Sequence, residues 1–328
     1  MKLPSRSSIG HKVRGDGGNW VSAMRAGEFE RAWEITDRDL ASCRWKAEDK
    51  HCGPRHLQRI WRGEVLRDRK VLVRCYHGLG DTIQFARFLP PLAERVRTLT
   101  VWCQRELLPL IEQVEGVDRA MPLHDGTPDA DFEVDIEIME IPHALRAGRN
   151  LVEQHRPYLA PRPCRAPPCI GRREGIAVGL VWEVGNWDKR RAIPPQLLKT
   201  INLEGVRLYS LQRGAAPGEA AQIGAKDIST PDLVELCHRL GELDLVVSVD
   251  TMVAHLAGAL GYEPWVMLHA DCDWRWPVND GPSIWYPRAR LFQQRAAGDW
   301  ASAVEIVRSA LADRVAKARR QSSTTRVG

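Results

Sequence analysis

Three short segments of this chain gather residue types that can bind an anion or move a proton. In His77-Gly78-Leu79-Gly80-Asp81, two glycines precede a carboxylate, directly after an apolar run and ahead of a helical pattern. Gly78 and Gly80 let another group approach the backbone closely, and a helix N-terminus at this place favours anionic groups. Asp81 can serve as the helix N-cap, for which Asp is among the best residues, or as a base that takes a proton. The competing reading is a G-x-G-x-x-G dinucleotide site. That motif needs Gly at 83 and an acid about twenty residues further on, where this chain has Ile83 and then Trp102 and Cys103. Neither condition is met, so a nicotinamide-dependent enzyme is kept only as a third, weaker reading.

The second segment is Ser248-Val249-Asp250-Thr251-Met252-Val253-Ala254-His255, again an apolar run passing into a helical pattern. Asp250 and Thr251 can cap that helix and leave its N–H groups directed at a phosphate. His255 lies one turn on, on the face of Thr251, as a ligand or as a satisfied core histidine. The third segment, Asn186-Trp187-Asp188-Lys189-Arg190-Arg191-Ala192-Ile193-Pro194, sets three consecutive cations before a helix start. Lys189, Arg190 and Arg191 would suit a diphosphate, which Arg binds in bidentate fashion, although a charge run also reads as solvated surface.

Each segment needs a strand to carry it. Apolar runs of strand length occur at Lys70–Tyr76, Thr98–Cys103, Arg119–Leu123 and Phe132–Ile138, then at Ile176–Trp182, Val206–Leu211, Leu243–Val249 and Pro264–Leu268. Helical patterns fall between them at residues 82–95, 194–201, 232–240 and 252–260. Alternating β and α segments with near-continuous apolar strands predict an α/β protein with parallel sheets covered on both faces. Ligands of such sheets collect where strand ends meet helix N-termini, and all three segments stand at such a junction.

Five prolines between Pro157 and Pro168 cannot continue a helix or a central strand, and they predict an interdomain linker. The expected domains are a disordered tail over 1–15, a helical hairpin within 16–62, a first Rossmann-like domain over 63–156, a linker over 157–172, a second Rossmann-like domain over 173–318, and a disordered tail over 319–328. The hairpin reading rests on Met24, Phe29, Ala32, Trp33 and Leu40 broken by Gly27. Its Gly27-x-Phe29-x-x-Ala32 pattern resembles part of one tetratricopeptide repeat, and a single copy must bury its apolar face on the main body. A last amphipathic helix is expected from an Asp299 N-cap through Val315.

With 328 residues, 44% hydrophobic and 27% charged, the chain has the composition of a two-domain globular protein. No apolar stretch approaches the roughly 18 residues that a membrane helix needs. The start of the chain lacks the apolar core of a secretory signal, so a cytoplasmic location is expected. A net charge of +5, spread along the chain, does not argue for nucleic acid and is compatible with peripheral association with an anionic membrane. The eight cysteines form no C-x-x-C pair and read as reduced thiols.

Together with Ser210-Leu211-Gln212 and Asp273-Trp274-Arg275-Trp276, the three segments closely resemble glycosyltransferase family nine, the lipopolysaccharide heptosyltransferases. The likeness is particularly to the branch in which tetratricopeptide repeats precede the transferase, and it covers about residues 58 to 310. The resemblance implies a GT-B fold, two Rossmann-like domains facing a cleft, and inverting, metal-independent transfer of a sugar without a cofactor. The donor would be a nucleotide sugar, with ADP-heptose the one suggested, and the acceptor a glycan, a lipid-linked group or a protein. By the same resemblance Asp81 is the general base, and Asp250, Thr251, His255 and Gln212 are donor ligands. Arg191, with Lys189 nearby, would meet the donor phosphates, and the Asp273 to Trp276 segment would belong to a closing loop. One departure stands out. The family's W-A-G-N turn reads Trp182-Glu183-Val184-Gly185-Asn186, one residue longer, and a non-catalytic nucleotide-sugar-binding or scaffold protein is the alternative that this would favour.

Overall fold

The computed structural model describes residues 17–43, 54–153, 156–163, 168–171, 174–185, 188–277 and 281–325. The expected tail over 1–15 and parts of the linker lie outside the described residues. The chain divides into two compact units, Met1–Arg162 with Asp273–Pro287, and Pro163–Cys272 with Arg288–Gly328. The second domain was expected to run unbroken over 173–318. Instead the segment Asp273–Pro287 belongs to the first unit.

The first unit holds a four-stranded sheet of β1 (Lys70–Arg74), β2 (Thr98–Cys103), β3 (Arg119–Pro122) and β4 (Val134–Glu137), in the order β3-β2-β1-β4. Every pair is parallel, with Lys70 opposite Thr98 and Val71 opposite Val134. In β1 and β2 all but the first residue are buried, as a sheet covered on both faces requires. The crossover from β1 to β2 was expected as one helix over 82–95. It opens earlier, as Leu79–Phe85, then tightens to a 3-10 turn at Ala86–Phe88 and restarts as Leu89–Ala93. Pro90 and Pro91 explain the break, because each lacks the N–H that a continuous helix would use and each ring crowds the preceding turn.

Two helices, Gly17–Ala26 and Phe29–Ser42, form the expected hairpin. Gly27 turns the chain at a φ of +71°, where a Cβ would stand 2.7 Å from Arg149 Nη2. The positive φ would strain any other residue there. The hairpin is docked within the first unit: Trp33 Nε1 donates to the Ala147 carbonyl at 2.9 Å, and Phe29 packs edge-on to Trp285 at 6.3 Å. Arg87 fastens the returning segment. Its guanidinium, 1% exposed, donates to the carbonyls of Gln84, Val152 and Trp285 at 2.7–2.9 Å and to Tyr158 Oη at 3.0 Å. The rings of Tyr158 and Tyr286 lie 4.8 Å from it. A buried charge is tolerated when its donors are met in this way.

The second unit holds a six-stranded sheet of β5 (Ile176–Val181), β6 (Val206–Ser210), β7 (Ala225–Asp227), β8 (Leu245–Val249), β9 (Pro264–Leu268) and β10 (Arg290–Gln293), in the order β10-β9-β8-β5-β6-β7. All of its pairs are parallel. The edge strands β7 and β10 escape sequence patterning because each buries a single residue and so shows no apolar run. Asp232 caps the helix Leu233–Gly241 by accepting from the N–H groups of Val234 and Glu235. Asp299 likewise accepts from Ser302 N at 3.1 Å and starts the last helix, Trp300–Thr325. That helix corrects the expected tail over 319–328. Once Val304, Val307, Leu311 and Val315 are buried in the core, each further turn costs little, and Arg319 pairs with Glu204 at 2.8 Å. Residues 326–328 lie outside the described residues. Among those described, no helix is long and apolar enough to cross a membrane.

Candidate functional site

In the first unit the chain leaves β1, passes Cys75 to Gly78 and enters the helix Leu79–Phe85, whose N-cap is Gly78. Asp81 is therefore not the cap but the third helical residue. Its Oδ2 reaches back and accepts from Gly78 N at 2.9 Å, the carboxylate half of a capping box. This reach-back bond lets the helix begin ahead of Thr82. A Cβ on residue 78 would stand 3.2 Å from that oxygen, so glycine makes the close approach easy. Gly80 lies in the first helical turn, directly before Asp81.

The other oxygen, Oδ1, pairs with Arg275 Nη2. Arg275 is buried and is held in turn by Asp273 Oδ1, 2.8 Å from Nη1 and 3.1 Å from its own backbone N–H. Its guanidinium lies 4.7 Å from the Trp274 ring. The Asp273 to Trp276 segment thus supplies the partner that orients Asp81. With its side chain 24% exposed, Asp81 keeps lone pairs for another donor, since a carboxylate has about four acceptor positions.

Three further titratable groups lie where the chain leaves β1 and β4, and none was singled out from sequence. Glu137 ends β4, and its Oε2 accepts from Met139 N at 2.7 Å. Burial, with repulsion from Glu140 and then Asp81, pushes its carboxyl well above the usual range. Glu140 accepts from the backbone of Ile60, Trp61 and Glu137, and burial raises it to about 7. His77 Nε2 lies 3.8 Å from Glu137 Oε2, and burial lowers its ring below the ordinary value. The available signal was the run Asp135-Ile136-Glu137-Ile138-Met139-Glu140, which sets acids inside an otherwise apolar strand.

In the second unit three of the expected donor residues, Arg191, Asp250 and His255, come together where the chain leaves β5 and β8. Thr251 is the N-cap residue of the helix Met252–Ala259, yet its side chain makes no capping bond. Its hydroxyl pairs with Ser248 Oγ at 3.0 Å. Asp250 stands between two partners, Arg191 Nη1 at 3.1 Å from Oδ2 and His255 Nε2 at 3.6 Å from Oδ1. Arg191, Asp250 and His255 are thus one contiguous group, with His255 buried.

Lys189 points elsewhere, to Glu183 at 3.1 Å on the surface. Arg190 forms a two-pronged pair with Asp188, Nε to Oδ1 at 2.9 Å and Nη2 to Oδ2 at 2.8 Å, and also meets Asp271 at 3.2 Å. That bonding holds the Asp188 carboxyl below its usual range. His269, directly after β9, lies in the same cluster and was missed from sequence. Gln212 lies at the turn after β5. Its Oε1 accepts from Trp182 N at 3.0 Å and Glu183 N at 2.9 Å, so this amide clips the lengthened turn. Asn186 and Trp187 of that turn lie outside the described residues.

No family model matches the chain. Protein FlbA of Caulobacter vibrioides (strain ATCC 19089 / CIP 103742 / CB 15) is 28% identical over 291 residues, 77% of this chain and 48% of FlbA. The chain thus spans about half the length of this curated relative. Among solved structures, the E. coli ADP-heptose lipopolysaccharide heptosyltransferase II matches with a TM-score of 0.52 at 12% identity, over 76% of this chain and 99% of that one. The dodecameric iron-containing heptosyltransferase TibC, solved with ADP-D-beta-D-heptose, matches with a TM-score of 0.51 at 12% identity, over 77% of each chain. The chain has the α/β, GT-B fold of these two proteins.

Proposed function

We propose that the protein is an inverting, metal-independent glycosyltransferase that moves a sugar, of the heptose class, from a nucleotide diphosphate donor to an acceptor hydroxyl. The observation that carries this reading is the setting of Asp81. A partly exposed carboxylate stands at the end of the first strand, one oxygen steered by Gly78 N–H and the other by Arg275, with lone pairs left over. In the proposed reaction Asp81 takes the proton of the acceptor hydroxyl as that oxygen bonds to the anomeric carbon. The bond from this carbon to the diphosphate breaks on the opposite side, which inverts the configuration. Arg275 keeps the carboxylate turned to its task, and burial pushes the Glu137 carboxyl well above its usual range, which disfavours a second negative charge near it.

The leaving diphosphate needs positive charge and aligned N–H groups. Arg191, Arg190 and the N-terminus of the helix Met252–Ala259 can supply them, with Thr251 and His255 alongside. Among the described residues no cluster of three or more His, Cys, Asp or Glu side chains is arranged to hold a metal ion. Because TibC was solved with ADP-D-beta-D-heptose, an ADP-linked heptose is the first donor to try. The test incubates the full chain with ADP-, UDP- and GDP-sugars, following release of the nucleoside diphosphate and the anomeric configuration of the product. Release with inverted configuration from one donor class is expected. Nucleotide binding without release from any donor would overturn the enzymatic reading in favour of a nucleotide-sugar-binding protein.

A further inference from the structure

We infer that His269 is a further ligand for the diphosphate of the donor, completing with Arg190 and Arg191 a three-sided anion site at the end of β9. The inference rests on the donor reading above and adds a residue to it. His269 follows directly on β9, beside the end of β8, where Asp250 and Thr251 stand. Its side chain is 5% exposed. Among the described residues its imidazole makes no hydrogen bond, and Asp188 Oδ2 stands 3.9 Å from Nε2, too far to be one. A buried imidazole normally finds a partner. This one instead stands where two guanidinium groups converge, since Asp188, which holds Arg190 in two-pronged fashion, also lies 3.9 Å from Arg191 Nε. Among the described residues that Nε is itself buried without a hydrogen-bond partner.

Asp188 is the organising group in this arrangement. It accepts from the backbone N–H of Arg190, opens the 3-10 turn Lys189–Arg191, and brings both arginines and His269 to one carboxylate. The weakest partner in the cluster is Asp271, whose side chain is 68% exposed and 3.2 Å from Arg190. A diphosphate can replace it at little cost, because exposed pairs contribute little.

The groups facing the imidazole set its charge. Burial comes first and then Arg190, with Arg191 in the same sense, and these lower the ring below its ordinary value; Asp188 and Asp271 oppose them. From the neighbouring strand, Asp250 and His255 face Arg191. The ring is therefore neutral at pH 7.5, and a bound diphosphate adds negative charge that reverses the balance. The imidazole then takes one proton from solvent, and both its nitrogens become donors.

The experiment measures binding of ADP, UDP, GDP and inorganic pyrophosphate to the full chain by calorimetry at pH 7.5, in two buffers of different ionisation enthalpy. The parent should take up a substantial fraction of a proton on binding. His269→Gln should bind about ten- to a hundredfold more weakly and take up none, as expected for loss of a charged hydrogen bond. Adenosine, which lacks phosphates, should show no difference between the two proteins. His269→Gln binding with the parent's affinity and the parent's proton uptake would overturn the proposal. Pyrophosphate binding that depends on His269, with no nucleoside diphosphate bound, would keep the anion site and reject the transferase reading. A parent that binds none of the four would reject both.

Discussion

Replacing Asp81 with Asn removes one charge and leaves the shape almost unchanged, which makes it the most informative substitution in the molecule. Were Asp81 a simple N-cap, Asn would serve nearly as well, and stability would change by a few tenths of a kcal/mol. The structure predicts more. The Asn oxygen can still accept from Gly78 N–H, but the amide NH2 is then turned toward Arg275, donor against donor. Arg275 keeps Asp273 at 2.8 Å, so one of its two carboxylate partners survives. Loss of a single charge-assisted bond with a remaining partner costs about 1–2 kcal/mol, toward the low end for such bonds. A domain stable by about 5–15 kcal/mol stays folded through that loss. Turnover should fall far more. An amide cannot accept the acceptor's proton, and a loss of about a hundred- to ten-thousandfold corresponds to ~2.7–5.4 kcal/mol on the barrier. The assay pairs urea unfolding with sugar transfer and with donor binding, which should stay near the parent value. An Asp81→Asn protein that is folded, binds donor and transfers within about threefold of the parent rate would refute the argument.

Three other predictions follow from the same structure. Arg87→Met should destabilise the first unit by about 3–5 kcal/mol, because it strands the buried carbonyls of Gln84, Val152 and Trp285, and an unchanged urea midpoint would contradict this. Glu140, raised from 4.5 to about 7, keeps in the folded state a proton that the unfolded chain has already released. Stability should therefore fall as pH rises from about 4.5 to about 7 and level off above that. Glu137 is shifted in the same direction, so the contrast between the parent and Glu140→Gln isolates the Glu140 share, and parallel curves for the two proteins would count against it. Turnover should persist in excess chelator; a loss that magnesium or manganese restores would show that metal, not Arg191 and its neighbours, meets the diphosphate.

Much of this protein was determined by local pattern. Apolar runs of strand length marked eight of the ten strands among the described residues, and the glycine at 27 and the Asp caps at 232 and 299 act through the backbone within a few residues of themselves. The placing of Asp81, Arg191, Asp250 and His255 at strand ends was legible for the same reason, since a strand followed by a helix announces its own edge. What tertiary structure decided is which charges meet. Arg275 lies 194 residues from Asp81 in sequence, and no local preference signals that it returns to orient that carboxylate. Gln212 clips the turn after β5, because the register of β6 beside β5 sets its amide against the backbone of Trp182 and Glu183. Glu137, Glu140 and His269 looked like ordinary polar residues at strand ends. Only burial gave them their chemistry, and burial is a property of the packed fold rather than of the residues that enter it.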